Sequence, residues 1–492
     1  MLGRIQHRGP DDTGTLALDH AWLGHQRLSI IDVSGGRQPI ADTDRPSTWI
    51  VGNGEIYNYR ELNADLPDGV VRTGSDTEAA LHLVMRDGPA SVRTLKGMFA
   101  FAMATSDGGG LVARDAMGIK PLYWVPDEHV TLFASELRAF EPEDRPRASS
   151  FPPGCLWTPG TGLVRYAHAV PVEVRPARRA SADRWDQEVL GRIRQGLVVA
   201  VRRRMMSDVG VGVFLSGGLD SALIAAIAAR EAARAGEVLP TFAVGTEDSA
   251  DLLAARRVAE HIGSDHHEVL ATPEAISVAL DEAVAVIEHF DPGLVRSSVP
   301  NLLLAKEASK KVKVVLTGEG ADELFAGYDY LHTEEFANPD ALHAELVRSL
   351  EQLHHLNLQR CDRTTMYYGL EARVPFLDAD FVRLALALPP EWKQLAPGRA
   401  EKALLREAFS GWLPNELLWR GKEQFGDGSG AGVVLAQLAT AKADQVSYRR
   451  VGQVPDDGWA LRSQEEVLYF DIWQRHFRGV RPVHNLGAFA TA

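Results

Sequence analysis

Cysteine is nearly absent from this chain: 492 residues hold only Cys155 and Cys361. Two thiols without metal-ligand spacing exclude a disulfide framework and a cysteine-based zinc site, and they suit a reducing, cytoplasmic setting. Long apolar runs are missing as well, so no membrane span is expected, and the opening MLGRIQHRGPDD has no apolar core of a signal peptide. There is no excess of positive charge. Fifty-two basic residues stand against 66 acidic ones, and the net charge of −14 argues against nonspecific nucleic-acid binding. The densest basic run, Arg202–Arg204, closes a helical pattern (Val189, Ile193, Leu197, Val201), where cations complement the helix dipole. Internal repeats, low-complexity tracts and a Walker A loop are also lacking. What is present, 45% hydrophobic and 24% charged residues, is the composition of a soluble globular protein long enough for two or three domains.

The most informative stretch is Val211–Ser221, VGVFLSGGLDS, an apolar strand that breaks into a glycine turn before a helical run, Ala222–Arg234. Gly217 and Gly218 let phosphate oxygens approach the backbone, and the helix start offers unpaired N–H groups and its positive dipole end. Ser216 and Ser221 add hydroxyls, while Asp220 adds a carboxylate suited to Mg²⁺. From Trp185 onward strands and helices alternate. Val209–Leu215, Thr241–Gly245 and Val312–Thr317 read as buried strands; Ala250–Ile262, closed by Gly263, and Pro300–Lys311, entered through its proline, read as helices. Such alternation predicts a parallel sheet covered on both faces, with a nucleotide at the strands' carboxyl ends. Two further strand ends carry chemistry. Val244 could offer its backbone to an adenine ring. Thr317–Glu323, TGEGADE, interleaves three acids with glycines, a poor solvated charge run but a good place for a metal and a proton acceptor.

Ser216–Ser221 resembles the PP-motif of ATP pyrophosphatases. With Arg296, Arg363, GLEARVPFLD (369–378), Glu401-Lys402, Arg406 and WRGKEQFGDG (419–428), the chain after residue 185 resembles the synthetase domain of class B, glutamine-dependent asparagine synthetases. That resemblance implies a ligase that converts aspartate to asparagine through β-aspartyl-AMP, releasing AMP and pyrophosphate, with ATP and Mg²⁺ required. By residue matching, Asp220 and Asp322 would hold Mg²⁺. Leu215, Val244 and Gly318 would frame the adenosine, alongside Ser216, Gly217, Gly218, Ser221 and Thr317. Lys402, and with it Arg373, would carry positive charge for the leaving pyrophosphate. Glu319 would take a proton from the attacking ammonia. The related β-lactam synthetases carry a tyrosine there, so the carboxylate argues for amidation rather than ring closure. Ahead of Arg296, which matches the family's acid-binding arginine, many members place two threonines. Here stand Gly293 and Leu294. Either Ser297 and Ser298 supply the lost hydrogen bonds, or a different carboxylic acid is amidated.

Residues 1–165 read as short strands and turns. HRGPDDTG (7–14), HQRLSIID (25–32), NGEIYN (53–58), GSDTE (74–78), GMFAFA (97–102) and RDAMGIKPLY (114–123) occur in order. They resemble the glutaminase domain of class II amidotransferases, an αββα sandwich of the N-terminal-nucleophile hydrolase class. By matching, Arg27 would pair with the α-carboxylate of glutamine, Glu55 and Asp76 with its α-amino group, and Asn53 and Gly54 would form the oxyanion hole. The nucleophile of that class is a cysteine at the mature N-terminus, and neither Cys155 nor Cys361 can supply that geometry. A start set at an internal methionine explains this better than a true truncation leaving an ammonia-dependent synthetase, which would expose a sheet edge; nitrogen would come from glutamine in the full-length protein or from ammonia in the chain as given. The expected organisation is a glutaminase-like domain over 1–165, a linker over 166–185 rich in proline and arginine, and an α/β synthetase domain over 186–492. Expected partners are aspartate with glutamine or ammonia, and a second copy of the chain in a homodimer; nucleic acid and membrane are not expected. A non-catalytic sensor with a degenerate glutaminase fold is the rival from another class, opposed by the presence of Asp220, Glu319, Asp322 and Lys402 together.

Overall fold

The computed structural model describes residues 1–43, 46–177, 185–395, 399–421, 428–442, 452 and 459–489. Most of WRGKEQFGDG (422–427) and the centre of the expected linker (178–184) lie outside the described residues.

The first half is antiparallel. β1 (Asp12–Ala17) and β2 (Trp22–Arg27) form a ribbon. β3 (Ile40–Ala41), β4 (Thr48–Ile56), β5 (Gly97–Thr105), β6 (Gly110–Arg114), β10 (Cys155–Thr158) and β11 (Gly162–Arg165) form a six-stranded sheet in the order β11-β10-β6-β5-β4-β3. A third sheet joins β7 (Tyr123–Val125), β8 (Leu132–Ala134) and β9 (Ser149–Ser150). Helices α1 (Tyr59–Ala64) and α2 (Asp76–Asp87) follow β4, and α2 lays Ala79, Ala80 and Leu83 into one core with Ile50, Phe99 and Phe101. Alternate residues of a strand face the same side, so Phe99, Phe101 and Met103 of β5 meet α2 together, whereas Ala100 faces Phe151 and Cys155.

The second half opens with α3 (Gln187–Arg204), whose Asp186 cap accepts the Glu188 N–H at 3.0 Å. Its last turn places Arg204 2.8 Å from Asp378 and Arg202 3.0 Å from Glu231, so the basic run is structural. Five parallel strands follow: β12 (Val211–Phe214), β13 (Pro240–Gly245), β14 (Asp265–Leu270), β15 (Val314–Leu316) and β16 (Glu371–Arg373), in the order β14-β13-β12-β15-β16. Helices α4 (Leu219–Arg234), α5 (Ala250–Ile262), α6 (Pro273–Ile287) and α7 (Pro292–Ala308) cover both faces. Three more, α8 (Ala321–Phe325), α9 (Pro339–Gln352) and α10 (Asn357–Met366), lie between β15 and β16. Val213 and Leu316 pack with α3, α4 and α5, while Phe214 and Val315 pack with α6 and α7. The sheet reverses its order between β12 and β15. That switch point leaves a crevice at the carboxyl ends of the two strands.

Gly263 closes α5 in the left-handed region at φ +66°, as its position after Ile262 predicts. The expected helix start at Pro300 is corrected: α7 begins at Pro292, and Pro300 lies inside it. The true signal is Asp291-Pro292. Asp291 accepts the Gly293 N–H at 2.9 Å and proline occupies the first turn. Pro300 is buried among α7's neighbours, so packing keeps the helix going where local propensity would end it. Among the described residues no helix is long and apolar enough to cross a membrane.

Candidate active site

The chain turns sharply after β12. Ser221 Oγ lies 3.0 Å from Ser216 Oγ and donates to Gly218 O at 3.1 Å, closing the loop into a ring ahead of α4. Gly217 has φ +75°, and a Cβ there would sit 2.6 Å from Ala255 N and Asp251 O, so only glycine lets the loop rest on α5. The loop borders a cavity of about 290 Å³. Ser216, Gly218, Asp220 and Ser221 line it together with Leu215, Val244, Thr317, Gly318, Glu319, Asp322 and Arg296, and Gly318 lies directly against Asp220 and Ser221. Lys402 borders it too, so the crevice gathers the expected nucleotide, metal and catalytic residues except Arg373 and Gly217, the latter resting against α5.

Lys402 organises the charges. Its Nζ lies 2.6 Å from Asp220, 2.6 Å from Asp322 and 3.4 Å from Glu401, with the side chain 2% exposed. Its backbone holds φ +52°, uncommon for lysine, in a position that aims the ammonium between the two aspartates. Glu401 is shared with Arg406 at 2.9 Å, so Lys402 is the ion-pair partner of Asp220 and Asp322. Burial, only partly offset by Lys402, pushes Asp220 up to about 6. Asp220 Oδ1 is buried without a hydrogen-bond partner. One free carboxylate oxygen near a second aspartate, on the Ser216–Ser221 loop, fits a hard divalent cation that completes its shell with other oxygen ligands and water. No cluster of three or more metal-ligating side chains occurs among the described residues. Gly327 is wedged against this group, since a Cβ there would meet Asp322 Oδ1 at 2.0 Å and Lys402 Cε at 2.3 Å.

Glu319, in the loop between β15 and α8, is gripped by Arg360 of α10. Glu323 is different: burial pushes it to about 7, and Tyr328 Oη donates to it at 2.6 Å. Local sequence does not announce Arg360, because its partnership with Glu319 depends on the tertiary approach of α10, whereas Tyr328 follows Glu323 by five residues in the turn after α8. Arg420 is, like Arg360, unannounced; it donates to Gly217 O at 3.2 Å and to Asp251 at 3.0 Å, bracing the loop.

Three expectations about this crevice change. Leu294 is fully buried in the core on α7 and does not border the cavity; only Gly293 does. Ser298 is likewise buried, donating to Leu294 O at 2.6 Å, so Ser297 alone of the two serines faces the cavity. Arg373 is not in the crevice. Alternation along β16 sends it, with Glu371, toward the antiparallel half, where it lies 3.0 Å from Glu55.

A second, smaller cleft of about 100 Å³ lies in the antiparallel half and gathers Arg27, Asn53, Gly54, Glu55 and Asp76. Arg27 donates to the carbonyls of Asp32 (2.6 Å) and Val33 (3.1 Å). Gly54 has φ +117°, and a Cβ would strike Met98 O at 2.0 Å. Asn53 Nδ2 and Glu55 Oε2 are buried without hydrogen-bond partners, which leaves a donor and an acceptor for a polar ligand. Burial pushes Asp76 to about 6 despite the 2.6 Å bond it accepts from Ile56 N–H. Neither cysteine borders this cleft: Cys155 is buried on β10, and Cys361 borders the larger cavity, where burial pushes its thiol up to about 12.

Comparison with known proteins finds matches in both halves of the chain. The family described as "Asparagine synthase" matches residues 192–338 and 331–479, and "Glutamine amidotransferase domain" matches residues 1–150. Glutamine-hydrolyzing asparagine synthetase 3 of Arabidopsis thaliana is 40% identical over 494 residues, 96% of this chain and 83% of that protein. Asparagine synthetase B of Escherichia coli K12 is 38% identical over 495 residues, covering 96% and 86%. Among solved structures, a glutamine phosphoribosylpyrophosphate amidotransferase from B. subtilis superimposes with a TM-score of only 0.28 at 19% identity, covering 54% of this chain and 61% of that one.

Proposed function

The chain belongs to the glutamine-hydrolysing asparagine synthetases, and from that premise we propose the residue roles by which its crevice amidates aspartate. It is an ATP-using ligase. The β-carboxylate of aspartate attacks the α-phosphorus of ATP; the bond from that phosphorus to the bridging oxygen breaks, and pyrophosphate leaves. Ammonia nitrogen then bonds to the acyl carbon, AMP departs with its oxygen, and the proton released from nitrogen passes to Glu319.

The Lys402–Asp220–Asp322 group supports this reading most. It sits at the switch point, includes Asp220 of the Ser216–Ser221 loop, and shares one cavity with Glu319. Lys402 offers positive charge where the pyrophosphate leaves, in a buried site where such charge acts strongly. Asp220 and Asp322 would hold Mg²⁺, which supplies neutralisation of the phosphate oxygens. Leu215, Val244 and Gly318 border the adenosine end; Ser216, Gly217, Gly218, Ser221 and Thr317 form or support the phosphate loop. Arg296 and Ser297 face the acid end. In the smaller cleft Arg27, Glu55 and Asp76 bind the α-groups of glutamine, and Asn53 and Gly54 polarise its amide.

The same proposal sets a glutaminase-like domain at 1–165 and the synthetase at 186–492, supported by β11 ending at Arg165 and α3 beginning at Gln187. A cytoplasmic setting rests on two free, buried cysteines. A homodimer is carried with the proposal and is read by sedimentation of the same preparation.

The deciding assay supplies ATP, Mg²⁺ and aspartate, with ammonia in one tube and glutamine in another. Asparagine, AMP and pyrophosphate in equal amounts are expected with ammonia. With glutamine the chain should be silent, because neither of its cysteines lies in the glutamine cleft. No asparagine in either tube, or a product only with another acid, would overturn the assignment of aspartate.

A further inference from the structure

The Arg296 end of the crevice is bordered by a segment distant in sequence. Asp291 is fully buried and uses its two oxygens for different tasks. Oδ1 caps α7 through the Gly293 N–H at 2.9 Å. Oδ2 accepts from Phe489 N–H at 3.2 Å and from Arg462 Nη2 at 2.8 Å. Arg462 Nη1 in turn donates to Phe489 O at 2.9 Å, and Glu466 holds Arg462 from the next helix at 3.0 Å. The N–H and the carbonyl of Phe489 are thus both clamped to the mouth of α7. Its ring lies over Gly293: a Cβ at 293 would meet Phe489 Cδ2 at 3.0 Å. Ala488 and Phe489 border the cavity beside Gly293, Arg296 and Ser297.

We propose that Phe489 is a specificity-determining wall of the acid pocket, and that glycine at 293 exists to admit its ring. This rests on the reading of the Arg296 end as the aspartate site. An aromatic ring held by two backbone bonds is a rigid boundary. It shortens the pocket to a four-carbon dicarboxylate and keeps water from the acyl adenylate. The two hydroxyl-free positions at the start of α7 are then both accounted for: Leu294 belongs to the core, and Gly293 makes room for Phe489.

The test compares wild type with Phe489→Ala, Gly293→Thr and the double variant, following pyrophosphate release with aspartate and with glutamate. Phe489→Ala is expected to raise KM for aspartate about tenfold and the glutamate-to-aspartate ratio of kcat/KM by a similar factor. KM for ATP should stay within about twofold, which a general structural loss would not allow. Gly293→Thr alone should lower kcat/KM for aspartate about tenfold. Introduced together with Phe489→Ala it should cost much less, because the ring it would clash with is gone. Should Phe489→Ala melt early, Phe489→Leu keeps most of the packing and carries the same comparison. Unchanged aspartate KM and acid preference in the alanine (or leucine) variant, or fully additive effects in the double variant, overturn the inference while leaving the family reading intact. A wild type that releases no pyrophosphate with aspartate overturns the reading itself, and the inference with it.

Discussion

Glu55 and Arg373 meet as an ion pair of 3.0 Å that joins the antiparallel sheet to the parallel one. Arg373 is fully buried and also lies 2.9 Å from Glu371, which in turn lies 2.9 Å from Lys120. One side chain thus neutralises carboxylates from both halves. Its own carbonyl accepts the Thr317 N–H at 3.0 Å, so the strand that carries it abuts the start of the Thr317–Glu323 segment.

Replacing Arg373 by Met would strip the buried Glu55 of its ion-pair partner and leave Glu371 to Lys120 alone. The expected loss is about 3–5 kcal/mol, the usual consequence of removing one member of a buried pair. Urea unfolding checks it, and a loss below about 1 kcal/mol would show that the pair is not what holds the halves together.

A smaller change should silence the crevice without unfolding the protein. Gly327→Ala puts a methyl group 2.0 Å from Asp322 Oδ1 and 2.3 Å from Lys402 Cε, forcing one of them aside. Pyrophosphate release should fall by about a hundredfold, since displacement of about 1 Å at a reacting group has that effect. Near-normal turnover would mean that the position of Lys402 is not critical.

How much of this was legible beforehand depends on how local each interaction is. The glycine loop of residues 216–221, the helix closed by Gly263 and the parallel sheet follow from patterns within a few residues. Arg373 was misplaced because its charge suits a leaving group, while the direction of its side chain depends on the two-residue alternation of a three-residue strand. Pro300 reads as a helix start only until Asp291-Pro292 is weighed as the stronger one. Arg360 and Phe489 could not be read at all; each reaches the cavity from a segment that only folding brings near.

The titration of Asp220 sets a pH dependence whose sign runs opposite to that of an ordinary salt-bridged aspartate. Burial raises it from 3.8 to about 6 in the folded chain. Between those values the folded protein keeps a proton that the unfolded chain has lost, so this group's contribution to stability falls as pH rises through the window and stays unfavourable above it. Asp220→Asn should therefore hold or raise Tm at pH 7 while abolishing Mg²⁺-dependent pyrophosphate release. In the wild type, Mg²⁺–ATP affinity should weaken as pH drops below about 6. A flat affinity from about pH 5 to 7, or a variant that keeps its Mg²⁺ response, would remove Asp220 from the metal.

Glu319 and Arg360 give the sharpest division of roles. The guanidinium grips the carboxylate from α10, fixing its direction toward the cavity. Glu319→Gln keeps the shape and removes the proton acceptor. Amide formation from ammonia should fall by roughly 10²–10⁴-fold, the range for losing a general base. ATP binding should be little changed, because Glu319 is not among the residues expected to frame adenosine or hold the cation. Arg360→Lys keeps a positive charge but not the planar fork, so the carboxylate loses its fixed direction. Turnover should drop less than in Glu319→Gln, and the double variant should be no worse than Glu319→Gln alone, since the arginine acts only through the acid. Stopped-assay quantification of asparagine and AMP for the wild type and these three variants decides this. Additive losses would show that Arg360 touches substrate in its own right, and unimpaired amide formation by Glu319→Gln would move the base elsewhere in the crevice.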